Sequence, residues 1–223
     1  MFSNITSILR NLRTDPGGTF IYLIMFAVCI LFSLIMHECA HGYVALKCGD
    51  PTARMLGRLT LDPRKHLDPI GTICMLFLRI GWARPVPINP RNFRHYRRDY
   101  ILVSVAGICT NFLIFLVSSV VTVLLFKNGE GVWVRYLFQF FVMLAQMNLS
   151  LAVFNLLPVP PLDGYRFLDQ FVFKGSLAMN PRTMQIIQFV FLAVCLSGML
   201  NGLLTTVNSA IFNAVFELLF RIF

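Results

Sequence analysis

The stretch that decides the fold is residues 19–47, TFIYLIMFAVCILFSLIMHECAHGYVALK. Its first half carries no charged side chain, no proline and no glycine. About 20 such residues are what a helix rising 1.5 Å per residue needs to cross roughly 30 Å of hydrocarbon. A membrane-spanning helix is therefore expected here, stopped by Cys48-Gly49-Asp50-Pro51. Toward its end stands His37-Glu38-Cys39-Ala40-His41. Histidines four apart on a helix are rotated by only about 40°, so both imidazoles can reach one ion, with the glutamate beside a metal-bound water. Counted from Phe20, the motif lies roughly 26 Å along the span, at or inside one leaflet, where ionisable groups are costly and seldom occur without a role.

Outward from this segment, the 223-residue chain is 57% hydrophobic and 13% charged, with a mean hydropathy of +0.72. That is more apolar surface than a soluble domain of this size can bury, so lipid is the expected solvent. Residues 1–18 are mildly amphipathic and form an expected interfacial segment, ended by Pro16-Gly17-Gly18. The first span is too long for a signal peptide and lacks a small-residue cleavage site, so it is expected to be retained. Residues 19–223 are expected to form a single membrane-embedded domain with spans near 19–47, 101–126, 132–157, 184–202 and 203–222, the last two separated by a bend near Ser197 to Gly202. Residues 49–100 differ, being rich in proline, glycine and arginine. Within them, 70–82 is apolar but too short to cross, which suggests a β-prone re-entrant or membrane-edge segment. The expected fold class is thus an all-α polytopic membrane protein of five to six transmembrane helices with a short β-prone membrane-edge segment.

The formal charge of +9 raises nucleic acid as a partner, but no basic stripe with interleaved aromatics exists. The basic residues lie in loops between apolar spans, and topology accounts for them. If the 49–100 loop is cytoplasmic, that side collects eleven Lys or Arg from Lys47 to Arg98, together with Arg166, Lys174, Arg182 and Arg221. The other side keeps Arg10, Arg13, Lys127 and Arg135, a bias that fits a positive cytoplasmic face. The six cysteines are scattered without a C-x-x-C pair and are expected to behave as small hydrophobes.

A zinc hydrolase needs three protein ligands and an open fourth position. Candidates for the third are His66, His95 and the acidic residues. Asp163 is the best placed, because it follows the Pro-rich break Leu157-Pro158-Val159-Pro160-Pro161-Leu162 after the third span, on the membrane side that holds His37 and His41. His66 and His95 lie in the arginine-rich loop, where solvated or loop-structural roles are expected.

Together these elements resemble the site-2 protease family of intramembrane zinc metalloproteases, in particular its compact bacterial group. The family's H-E-x-x-H is matched by His37 to His41, and its N-x-x-P-x-x-x-L-D-G element by Asn155, Pro158, Leu162, Asp163 and Gly164. Gly49-Asp50-Pro51-Thr52-Ala53, Gly57-Arg58-Leu59-Thr60, Asp68-Pro69-Ile70-Gly71-Thr72 and Gly81-Trp82-Ala83-Arg84-Pro85-Val86-Pro87 are also similar to stretches of the compact group. The likeness covers about residues 20 to 170. It implies one zinc ion held by His37, His41 and Asp163, Glu38 as general base, and Asn155 as a contact to substrate backbone. It further implies transmembrane protein substrates, a lipid bilayer setting and a bacterial plasma membrane, with the active site toward the cytoplasm.

The sequence departs from the family at two places. Relatives commonly carry proline after the glycine of Ala106-Gly107-Ile108-Cys109-Thr110-Asn111, so no role is carried over to Asn111. Tyr165 stands where a small residue is usual and is expected to narrow the mouth of the site. No segment resembles the PDZ or nucleotide-sensing domain of some relatives. The edge between Gly71 and Arg84 is a candidate to pair with an unwound substrate. The rival reading is a non-proteolytic zinc transporter or metal-sensing membrane protein with the same ligands, which would leave Glu38 without a task.

Overall fold

Asp15 opens the first long helix, α1 (Pro16–Lys47), by accepting the Gly18 N–H at 3.0 Å, while Pro16 takes the N1 position, where its missing N–H costs nothing. The Pro16-Gly17-Gly18 triplet, expected to break a helix, therefore starts one. The interruption falls at Asp15, after the helical residues 10–14. The computed structural model describes residues 10–68, 71, 84–177 and 180–223. The β-prone edge expected across 70–82 lies, apart from Gly71, outside the described residues.

Helix α2 (Tyr96–Asn128) begins five residues before its expected apolar start, because Asp99 accepts the backbone N–H of His95 at 2.8 Å and the Arg97 and Arg98 side chains remain exposed. A turn through Gly131, with φ of 97°, leads into α3 (Val132–Asn155). A proline-rich loop then delivers the short helix α4 (Asp163–Phe171). Asn180 caps α5 (Pro181–Ser197) by accepting the Thr183 N–H at 2.8 Å, and Gly198, with φ of 77°, ends it in a left-handed turn. The last helix is α6 (Asn201–Ile222), so the expected bend is placed at residues 198–200.

Helices α1, α2, α3 and α6 are each long and apolar enough to cross a membrane, and α5 is apolar but shorter, about 26 Å at 1.5 Å per residue. Among the described residues there is no strand. The chain is an all-α polytopic membrane protein.

Helix α2 is central, packing against α1, α3, α4 and α6. Phe115, Ala145 and Leu149 are buried between α2 and α3, and Phe212 and Val215 of α6 close over them. Small and polar groups mediate the approach of α1 to α3, where Asn148 donates to Ser33 Oγ at 2.8 Å. This suits helices in lipid, which gain little from burying one apolar face against another.

Beyond α1, Asp50 ties the loop that follows to the segment before α2. Its carboxylate accepts the N–H groups of Thr52 (3.1 Å) and Asn89 (2.7 Å) and Asn92 Nδ2 (2.8 Å). Burial alone would raise the pKa of Asp50, but these hydrogen bonds and that of the Thr52 hydroxyl overcome it and hold the carboxyl below the usual carboxylate range. Arg58 reinforces the tie by donating to the carbonyls of Arg84 (2.7 Å) and Pro85 (3.2 Å). Residues 84–89 are thereby drawn, without helical structure, alongside the last turns of α1.

Candidate active site

His37 and His41 lie one turn apart on the same face of α1, each 6% exposed. Their facing atoms converge on one point with the first residue of α4. His37 Nε2 is 3.1 Å from Asp163 Oδ2, His41 Nε2 is 3.0 Å from it, and the two Nε2 atoms are 3.1 Å apart. The sharp turn that brings Asp163 here needs Gly164, whose backbone is pressed against the carbonyls of Leu156 and Leu157 at the end of α3, leaving no room for a Cβ. Arg97 secures the other end of α4 by donating to the carbonyls of Gln170 (2.9 Å) and Phe171 (3.0 Å).

The donor set fits a metal ion on three counts. Bonds of about 2.0–2.1 Å to tetrahedral zinc separate neighbouring ligand atoms by roughly 3.3 Å, close to the triangle these three atoms form. His41 donates its Nδ1–H to the Val103 carbonyl at 2.7 Å, which leaves Nε2 as the bare lone pair. Burial alone would raise the pKa of Asp163, but the two imidazoles outweigh it and hold the carboxyl well below the usual carboxylate range. With both rings in the tautomer that His41 adopts, two lone pairs and a carboxylate face one point, a donor set that suits a cation. His37, His41 and Asp163 are the one such metal-competent group among the described residues.

A cavity of about 620 Å³ opens beside this triangle. Glu38 and Asn155 both border it, so every residue expected to serve the site reaches one space. Glu38 is half-buried, and its Oε2 accepts the Val86 N–H at 2.8 Å, which aligns the non-helical 84–89 segment with the cavity wall. Asn155, the last residue of α3, donates to the Leu151 carbonyl at 2.9 Å. His66 and His95 are elsewhere: His66 is buried against the Thr60 carbonyl (2.8 Å) and His95 is exposed at the start of α2.

Tyr165 does not narrow the mouth. Its hydroxyl turns away from the cavity and donates to the Leu177 carbonyl at 2.8 Å. Arg166 borders the opening instead, with Nη1 3.9 Å from Asp163 Oδ1. Two α2 residues without an assigned role also prove central. Gly107 lies directly under both imidazoles, where a Cβ would come within 2.5 Å of His41 Nε2 and 2.6 Å of His37 Nδ1. Asn111, fully buried, sits 3.2 Å from His37 Nδ1. The signal for both in the sequence is their place in Ala106-Gly107-Ile108-Cys109-Thr110-Asn111, where the departure from the family's proline kept any role from being carried over.

Residues 127–198 match the model of peptidase family M50. The chain is 43% identical over 173 residues to "Putative zinc metalloprotease YwhC" of Bacillus subtilis, covering 76% of this chain and 79% of that protein. The chain belongs to peptidase family M50, the site-2 protease family. This M50 peptidase is also 33% identical over 179 residues to "Putative zinc metalloprotease Rip2" of Mycobacterium tuberculosis, covering 75% of this chain and 66% of the relative. With "Zinc metalloprotease MJ0392" of Methanocaldococcus jannaschii it shares 26% identity over 174 residues, 77% of this chain and 42% of that one. No solved structure matches the M50 chain significantly.

Proposed function

We propose that this M50 peptidase is an intramembrane zinc metalloprotease that hydrolyses peptide bonds of transmembrane protein substrates, with one zinc ion held by His37, His41 and Asp163. The observation that carries this reading is the meeting of three ligand atoms within 3.1 Å of one another, drawn from α1 and α4. The names of its relatives support zinc as the metal. When bound, zinc acts as a Lewis acid and brings the pKa of a coordinated water down to around 7.

Glu38, next to His37 and on the cavity wall, accepts a proton from the attacking water and returns it to the leaving amine. Its bond to Val86 N–H fixes the carboxylate in that wall. Asn155 contacts the substrate backbone. The 84–89 segment is the surface against which an unwound, extended substrate lies, since Pro85, Val86 and Ile88 line the same cavity. The basic loops argue for a cytoplasmic site, and the resemblance to the compact bacterial group supports a bacterial plasma membrane. The transporter reading gains no second metal-competent cluster among the described residues and gives Glu38 no work.

Glu38→Gln removes the base but no ligand, so it is expected to abolish cleavage while zinc content and membrane insertion stay near wild type. The check is comparative proteomics of membranes carrying the wild-type or substituted protein, scored for fragments released to the cytoplasm. Equal release from both would overturn the role of Glu38.

A further inference from the structure

Metal-ligating histidines are usually fixed by a partner on the other ring nitrogen, which sets the tautomer and the ring orientation. His41 has such a partner in the Val103 carbonyl, at 2.7 Å from Nδ1. The corresponding atom of His37 faces the carboxamide of Asn111, with its Nδ2 at 3.2 Å. Val103, Gly107 and Asn111 are successive fourth residues and form one stripe of α2. The two outer members reach the two Nδ1 atoms, and the glycine between them gives both rings room to lie against bare backbone.

The amide is fully buried, and Asn111 Oδ1 is without a partner among the described residues, so nothing at that end holds the amide in this orientation and His37 decides it. With Nδ2 turned to the ring, His37 Nδ1 must be the acceptor and its proton must sit on Nε2, in the middle of the three-atom cluster, where it excludes a metal. Turning the amide end for end reverses this. Oδ1 then accepts from His37 Nδ1–H, and Nε2 becomes a lone pair aimed at the same point as His41 Nε2 and Asp163 Oδ2.

We infer that Asn111 is a positioning residue of the metal centre, whose carboxamide oxygen accepts the Nδ1–H of His37 and holds that ring in the ligating tautomer. This rests on the zinc reading above. Helix α2 thus clasps both histidines from behind, one with a main-chain carbonyl and one with a side-chain amide.

The test is the zinc affinity of the purified full-length chain in detergent, measured by competition with a chromophoric chelator for wild type, Asn111→Leu, Asn111→Asp and His41→Ala. Leucine keeps the volume and removes the acceptor, so affinity is expected to fall about 10–100-fold, the usual cost of losing such a partner. Aspartate restores an acceptor and is expected to bind zinc at least as tightly as wild type. A packing role would rank these two in the opposite order, since a buried carboxylate is the worse filler. Thermal melting of the metal-free proteins checks the fold, and should Asn111→Leu fail to fold, Asn111→Ser, too short to reach the ring, replaces it with the same expected loss. Overturning results are zinc affinity in the leucine variant within about threefold of wild type, or an aspartate variant as weak as the leucine one. Retained binding in Asn111→Leu with loss in His41→Ala removes only the role of Asn111. A wild-type chain that binds no zinc removes the zinc reading itself.

Discussion

The absence of a side chain at Gly107 lets two imidazoles approach the backbone of α2 closely. Gly107→Ala is expected to push both rings off the common point and weaken zinc binding by about tenfold or more, comparable to loss of an outer-shell partner. Chelator competition measures it, and wild-type affinity in that variant would mean that the rings can move aside. His37, Glu38 and His41 are legible in the sequence because their relation is local: four residues of helix fix it whatever the rest of the chain does. Gly107 and Asn111 are not, because which residue of α2 faces His37 depends on how two helices rotate against each other, and Asn111 is 74 positions from His37. Tyr165 misleads for a similar reason. Its place in the motif suggests the cavity mouth, but the rotation of α4 aims its hydroxyl at Leu177.

At the scale of elements, the apolar spans are legible because lipid imposes a length that any sequence can be measured against. Their ends are set by caps and charges that hydropathy ignores. Pro16 opens α1 because Asp15 precedes it, and α2 continues through Arg97 and Arg98 because these side chains reach out of the apolar region. The tie between α1 and the 84–92 segment rests on Asp50, whose lowered pKa has a consequence for acid stability. A depressed folded-state pKa stabilises the fold at pH above the ordinary carboxylate value of about 4, and that contribution is lost as pH falls through the lower folded-state value. Wild-type thermal stability in detergent is therefore expected to drop below about pH 4, with a flatter acid limb in Asp50→Asn. Asp50→Ala removes the buried carboxylate that Asn89, Thr52 and Asn92 donate to and is expected to cost roughly 1–3 kcal/mol at neutral pH, the usual worth of hydrogen bonds to a charged group, read as a lower melting temperature. Identical acid limbs for wild type and Asp50→Asn would show that other carboxylates govern the acid response.

For the whole molecule, the candidate site depends on two regions distant in sequence meeting in one buried cluster. The H-E-x-x-H helix supplies two ligand atoms and the residue after the proline-rich loop supplies the third, 122 positions later. The sequence pointed to this meeting through topology, which places both regions on one side, and through the family resemblance, which implies His37, His41 and Asp163 as one ligand set. The distance between them came from α2, which packs on both α1 and α4 and so holds the two halves in register. Metal analysis of purified Asp163→Ala beside wild type tests that convergence most directly, because His37 and His41 remain intact in the variant. The expected result is about one zinc per wild-type chain and a large loss in the variant, with the metal-free fold preserved. Full zinc stoichiometry and undiminished affinity in Asp163→Ala would contradict the account, because the third ligand would then lie elsewhere.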